Sequence, residues 1–164
     1  MKTILYSKIR KKKIDTPIKE SEGKLVDVLV DDSEDYWEAE EVMIKTGMIK
    51  GDIVFLPTVD IEEIEEETNI TIKKSLNNAS EEPAKAFPIR LEDIKGYIVK
   101  NSEGEELGKV YDYEISTDVE PWIVWKLLVK PTNLSPLKRR ARFSTEDVDK
   151  IEDEEIFLVK GYES

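Results

Sequence analysis

The strongest constraint on this chain is that it repeats itself. Gly23-Lys24-Leu25-Val26-Asp27-Val28-Leu29-Val30 returns as Gly108-Lys109-Val110-Tyr111-Asp112-Tyr113-Glu114-Ile115. The offset of 85 residues places Ile9 on Ile94, Ile14 on Val99, Glu20 on Glu105, Trp37 on Trp122 and Lys45 on Lys130 without a gap. Two residues then enter the second copy, and at an offset of 87 Thr58 falls on Thr145, Asp60 on Asp147, Ile61 on Val148, Ile64 on Ile151, Glu67 on Glu154 and Lys73 on Lys160. The aligned tryptophan weighs most, because the whole chain has only 3. Self-similarity of this kind marks tandem copies of one unit, and 164 residues suffice for two small domains. The expected division is a first repeat over residues 1–76, a linker over 77–87 rich in Asn, Ser, Glu, Pro and Ala, and a second repeat over 88–164.

Within each copy the pattern reads as short strands. In the first, a turn at Tyr6–Ile9 precedes a strand within Lys12–Ile18, and the organising strand Lys24–Val30 follows a polar turn. Trp37–Lys45 is a third strand, Asp52–Leu56 a fourth, and Asn69–Lys73 closes the copy. Asp60 before Ile61 and Ile64, spaced i and i+3, predicts one helical turn over Asp60–Glu65. The second copy predicts a turn at Leu91–Ile94 and strands at Gly96–Lys100, Leu107–Ser116, Ile123–Lys130, Lys138–Phe143 and Glu155–Val159, with a capped turn at Ser144–Val148. The expected fold class is mainly all-β, with each small sheet closing on itself to bury one face and remove its edges.

Composition narrows function. The chain has no cysteine and no histidine, which removes disulfides, thiolate metal sites and histidine acid–base chemistry. Acidic residues number 37, so no single carboxylate pair points to catalysis or to a metal, and neither enzyme activity nor a cofactor is expected. A net charge of −12 opposes general nucleic-acid binding. No apolar run is long enough to span a bilayer. Met1–Arg10 has no signal-peptide core, so a cytoplasmic location without membrane insertion is expected.

The order of features resembles the PRC-barrel family, the domain of the photosynthetic reaction-centre H subunit and of the C-terminus of the ribosome maturation factor RimM. The second copy carries the resemblance in Ile94-Lys95-Gly96, Gly104, Gly108-Lys109-Val110-Tyr111-Asp112, Val148, Ile151 and Ile156–Val159. The first keeps Gly23-Lys24-Leu25-Val26-Asp27, Pro57, Ile61 and Ile64, but has Lys11 and Lys19 where the second has Gly96 and Gly104. The resemblance implies two tandem small PRC-type β-barrels that bind other proteins without a shared catalytic centre. Tandem proteins of this kind resemble archaeal cell-division components, which implies a non-enzymatic adaptor recruited to a division site and binding a division-ring adaptor or a PRC-barrel paralogue. The alternative it implies is a factor in ribosome maturation or RNA processing that acts through a ribosomal protein.

Several residues admit both a structural and a functional role. Gly23 and Gly108 suit a bulge or a turn conformation more than a ligand contact. Asp27 and Asp112 suit hydrogen bonds to a strand connection more than a metal. Trp37 and Trp122 suit a structural role, each capping one barrel end, over a partner anchor by about two to one. The second copy is the more aromatic, with Tyr111 and Tyr113 replacing Val26 and Val28, and Trp125 replacing Glu40. Together with Trp122 and the basic Arg139 and Arg140, these make the candidate protein interface, for a homodimer or a heterodimer. Strand alternation prevents all of them from sharing one face. Arg10–Lys13 and Lys138–Arg142 are the basic clusters; each reads first as a solvated edge strand and second as a contact for an acidic protein.

Overall fold

Among residues 2–16, 21–47, 52–65, 69–86 and 88–159, which the computed structural model describes, the chain is predominantly β. The first repeat runs β1 (Thr3–Leu5), α1 (Tyr6–Ile9), β2 (Lys13–Asp15), β3 (Ser21–Asp31), β4 (Trp37–Thr46), β5 (Ile53–Pro57), a 3-10 turn (Thr58–Asp60), β6 (Ile61–Ile64) and β7 (Asn69–Ile72). A further 3-10 turn, Leu76–Asn78, leads to the second repeat. That repeat runs β8 (Ile89–Arg90), α2 (Leu91–Ile94), β9 (Ile98–Lys100), β10 (Glu106–Ser116), β11 (Trp122–Lys130), β12 (Ala141–Ser144), a 3-10 turn (Thr145–Asp147), β13 (Val148–Glu152) and β14 (Glu155–Leu158).

The repeats match in register as well as in order. In β3–β4, Lys24 faces Lys45, Leu25 faces Ile44, Asp27 faces Met43 and Val28 faces Val42. In β10–β11, Lys109 faces Lys130, Val110 faces Val129, Asp112 faces Leu128 and Tyr113 faces Leu127. Both ladders break at corresponding points, leaving Val26 or Tyr111 as an extra residue on the long strand and Glu40 or Trp125 on its neighbour. The glycine that opens each motif lies at a third irregularity and against a neighbouring carbonyl. A Cβ on Gly23 would stand 2.6 Å from the Lys45 oxygen, and one on Gly108 2.2 Å from the Lys130 oxygen. Glycine is therefore required for close approach of two backbones.

The repeats are locked by exchange. β1 pairs with β10 and β8 with β3, so each repeat's opening strand extends the other repeat's long strand. β4 and β11 meet antiparallel across a pseudo-twofold: Trp37 faces Val124, Glu38 faces Ile123 and Ala39 faces Trp122. The Thr58 hydroxyl donates to the Ala39 carbonyl and accepts the Trp122 N–H; the Thr145 hydroxyl donates to the Val124 carbonyl and accepts the Trp37 N–H. One cluster of buried side chains includes Tyr6, Leu25, Trp37 and Ile70 from the first repeat and Leu91, Tyr113, Trp122 and Ile156 from the second. Desolvated aliphatic and aromatic surface of this kind supplies the main driving force for folding.

Four expectations are corrected. The sheet is not closed: it has 14 strands and runs β13-β14-β9-β10-β11-β4-β3-β2-β7-β6, with β5 and β12 branching onto β4 and β11. β5 and β6, like β12 and β13, are joined by a 3-10 turn instead of a ladder, and edges are joined between repeats through β4 and β11. The helical turn of the first repeat lies at Thr58–Asp60, not Asp60–Glu65. Ile61 and Ile64 share the core although they are strand residues, because the register shifts between Ile61 and Glu63 and inverts the alternation. The closing strands follow an offset of 86, since Ile14 pairs with Ile70 and Val99 with Ile156. One more residue separates Ile64 from Ile70 than separates Ile151 from Ile156, and Lys160 lies outside the described residues. Finally, the linker is tethered: Ser80 and Phe55 exchange backbone hydrogen bonds, and the Ala84 N–H donates to the Glu41 carboxylate. The expected hairpin turn between Gly47 and Gly51, and the predicted strand beyond Thr16, fall largely outside the described residues.

Candidate protein interface

The motif aspartates occupy the inside of the lock. Asp27 is fully buried and accepts from its neighbour Val28, from the Glu92 N–H at the start of α2 and from the Tyr6 hydroxyl, and it pairs with Arg90. Asp112 accepts from the Tyr113 N–H and from the Ser7 N–H at the start of α1. Each carboxylate thus caps the four-residue helix of the other repeat, where free N–H groups and the helix dipole favour an anion. Neither helix has a side-chain cap from its own preceding residue. The single Tyr6 hydroxyl proton is shared between Asp27 and Glu92, both within hydrogen-bond distance, and burial, followed by the nearby charge of Asp27, pushes this phenol far above its ordinary value.

Of the six interface candidates, two lie inside. Tyr113 is fully buried, its ring edge-on to Tyr6 at 5.6 Å and its hydroxyl donating to the Leu91 carbonyl. Burial holds its phenol well above the ordinary value. Trp122 is buried at the β4–β11 junction. Neither offers a surface to a partner, because β10 and β11 turn these positions inward.

Tyr111 and Trp125 differ because each is the extra residue of a bulge, and a bulge re-aims its side chain out of the alternation. Trp125 stacks on Tyr36 of the first repeat, with ring centroids 4.9 Å apart, and the Lys126 ammonium lies 4.9 Å from its ring centre. A hydrogen bond to Glu146 raises the Tyr36 phenol above its ordinary value. Tyr111 carries the Arg140 guanidinium 4.7 Å from its ring centre, a cation–π contact. Arg139 and Arg140 are exposed in the connection leading to β12.

Tyr111 also borders a shallow groove of about 330 Å³ lined by Glu92, Lys95, Gly96, Lys109, Val110 and Lys130. Sequence reading passed over these lysines. The signal was the repeat itself: Lys24 and Lys45 face each other in one copy as Lys109 and Lys130 do in the other. Like charges directly opposite one another disfavour the sheet. The structure therefore joins Tyr111 and Arg140 into one basic aromatic surface with Lys95, Lys109 and Lys130, leaves Arg139 exposed beside Arg140 in the chain and Trp125 on a separate stack, and withdraws Tyr113 and Trp122.

The other basic cluster is engaged at Arg10 and Lys12, while Lys11 and Lys13 are exposed. Lys12 is buried with its ammonium on the Glu65 carbonyl, Arg10 lies 3.3 Å from Glu92, and Lys11 takes the left-handed backbone conformation that Gly96 has in the second repeat. Among the described residues no group of three or more acidic side chains is placed to hold a metal, and no helix is long and apolar enough to cross a membrane. Compared with known proteins, the chain matches no family model and no curated sequence.

Proposed function

We propose that this chain is a non-enzymatic adaptor, a tandem PRC-barrel protein that holds protein partners together in an assembly such as the archaeal division machinery. The observation behind this reading is that one backbone framework is presented twice with different outer side chains. Val26 is replaced by Tyr111, Glu40 by Trp125 and Phe55 by Arg142 at structurally matched register positions, none of them buried. The exchanged strands fix the two frameworks relative to each other, so two dissimilar surfaces stand at a set distance and orientation. A rigid body with two dissimilar surfaces suits a bridge between partners. The family resemblance supplies the cellular setting, with a division-ring adaptor or a paralogous tandem protein as partner and a cytoplasmic protein recruited to the division site.

The test is affinity capture of the tagged full chain from cells of its source, with quantification against an untagged control. Enrichment of division-ring components is the expected result. Enrichment of ribosomal proteins instead would assign the chain to ribosome maturation, and enrichment of neither would reject the adaptor.

A further inference from the structure

The internal symmetry exposes one position that is filled in the first repeat and open in the second. Phe55 of β5 faces Met43 of β4, and on its outer side its N–H and C=O both bond to Ser80 of the linker, at 2.7 and 3.0 Å. The Met43–Phe55 pair is therefore a non-hydrogen-bonded pair, in which the backbone groups of Phe55 point away from β4. Arg142 of β12 faces Leu128 of β11 in the same register. Its N–H and C=O must then point outward too, and among the described residues no strand or bridge pairs with that side of β12. An edge of this kind is a template for another strand.

Charge identifies what it would take. The segment on the first edge is acidic, Ser80-Glu81-Glu82-Pro83, and is followed by Ala84, whose N–H reaches Glu41. On the second edge, Lys138, Arg139, Arg140 and Arg142 are exposed, and Lys126 stands where Glu41 stands in the first. Only Arg142 of these four has a carboxylate partner among the described ion pairs, Glu114. The connection before β12 also carries Leu134, 77% exposed.

We propose that the outer edge of β12 docks an extended acidic segment of a partner protein, paired antiparallel at Arg142 as the linker is paired at Phe55. This rests on the adaptor reading for the existence of the partner, but the edge can be tested without it. The probe is a synthetic peptide with the sequence of residues 78–86, added to the isotope-labelled full chain while backbone amide resonances are followed. The expected result is saturable shifts over Ala141–Ser144, weakened about threefold or more when salt rises from about 50 to about 300 mM. Arg139→Glu with Arg140→Glu, both exposed and therefore tolerable to the fold, should weaken binding about fivefold. N-methylation of the peptide at the serine corresponding to Ser80 should weaken it about tenfold, since one backbone donor is lost and a methyl group is forced against the edge.

Absence of shifts over Ala141–Ser144 at about millimolar peptide would overturn the proposal. So would equal binding of the methylated peptide, or shifts confined to Ile53–Pro57. Self-association that the double charge reversal abolishes would assign the edge to a second copy of this chain and overturn the partner. In the capture experiment, partners retained equally by wild type and the double variant would keep the adaptor and reject this edge; loss of all partners from the wild type would reject the adaptor itself.

Discussion

The carboxylate of Asp27 lies 2.9 Å from the guanidinium Nε of Arg90, a residue of the other repeat, and Asp27 is fully buried while Arg90 is partly exposed. The pair is thus a one-sided buried ion pair whose buried member also accepts two backbone N–H groups and a phenol. Removing Asp27 takes this acceptor from the Val28 and Glu92 N–H groups and from Arg90, while the Tyr6 hydroxyl keeps Glu92. Asp27→Ala is expected to destabilise by about 3 kcal/mol or more, and Arg90→Ala by clearly less, because the aspartate keeps its other donors. Denaturant unfolding of both variants checks the order; equal losses would mean that the ion pair, not the capping, dominates.

Two glycines of the second repeat should respond differently to the same change. Gly96 has φ of 93° with open space where a Cβ would stand, so Gly96→Ala costs only the left-handed backbone strain, about 1 kcal/mol. Gly108 has φ of 153° and its Cβ would collide with the Lys130 carbonyl and Val129, so Gly108→Ala adds a steric term and should cost about 2–4 kcal/mol. Lys11 occupies the position of Gly96 with φ of 73°, and Lys11→Gly should be neutral or slightly stabilising. Thermal melts of the three variants give the ranking.

Stability should fall in alkali because of Tyr6. Its phenol is held above its ordinary value, so the folded state keeps a proton that the unfolded chain releases. The contribution is complete below the unfolded phenol pKa of about 10 and is lost as pH rises above it, at about 1.4 kcal/mol per pH unit. Tyr6→Phe should cost about 1 kcal/mol at neutral pH and then converge on wild type in unfolding measurements carried above pH about 10. Parallel stability curves for the two proteins would show that Tyr6 is not the group responsible.

At the acid end, Lys85 and the Ser33 N–H hold the Asp31 carboxyl down at about 2. The stability from this site is present above the ordinary carboxylate pKa of about 4 and lost as pH falls toward 2. Half-exposed Lys85 limits it to less than about 1 kcal/mol. Asp31→Asn should therefore narrow its deficit against wild type between pH 4 and 2, read by melting temperature at several pH values.

What the sequence disclosed and what it withheld divide along a physical line. Strand identity was legible because Lys24–Val30 and Lys109–Ile115 are rich in β-branched and aromatic residues and the repeat could be checked against itself. The inward turn of Tyr113 and the outward turn of Tyr111 were not, because both lie on one parity and only the bulge at Tyr111 separates them. Asp27 and Asp112 were legible as hydrogen-bonding residues but not as caps of the opposite repeat, since nothing local encodes which copy supplies the partner. Ile61 and Ile64 misled for a related reason: a shifted register in a strand reproduces the spacing of a helical turn. The edge at Arg142 needed the pairing of Phe55 with Ser80 to be seen first.

The exchange of β1 and β8 has a consequence for how this protein is made. During synthesis the first repeat leaves the ribosome before the strand and the helix start that complete it exist, so β3 and Asp27 must wait for Ile89 to Glu92, and Trp37 for Val124 and Thr145. Native structure of the first repeat is thus deferred until Thr145 of the second has been made, and each nascent chain exposes the same unsatisfied edge in the meantime. Two chains released close together can satisfy that edge with each other's opening strand as readily as with their own. Yield on refolding should accordingly depend on dilution, with closed single chains favoured when molecules are far apart and interlocked pairs when they are crowded.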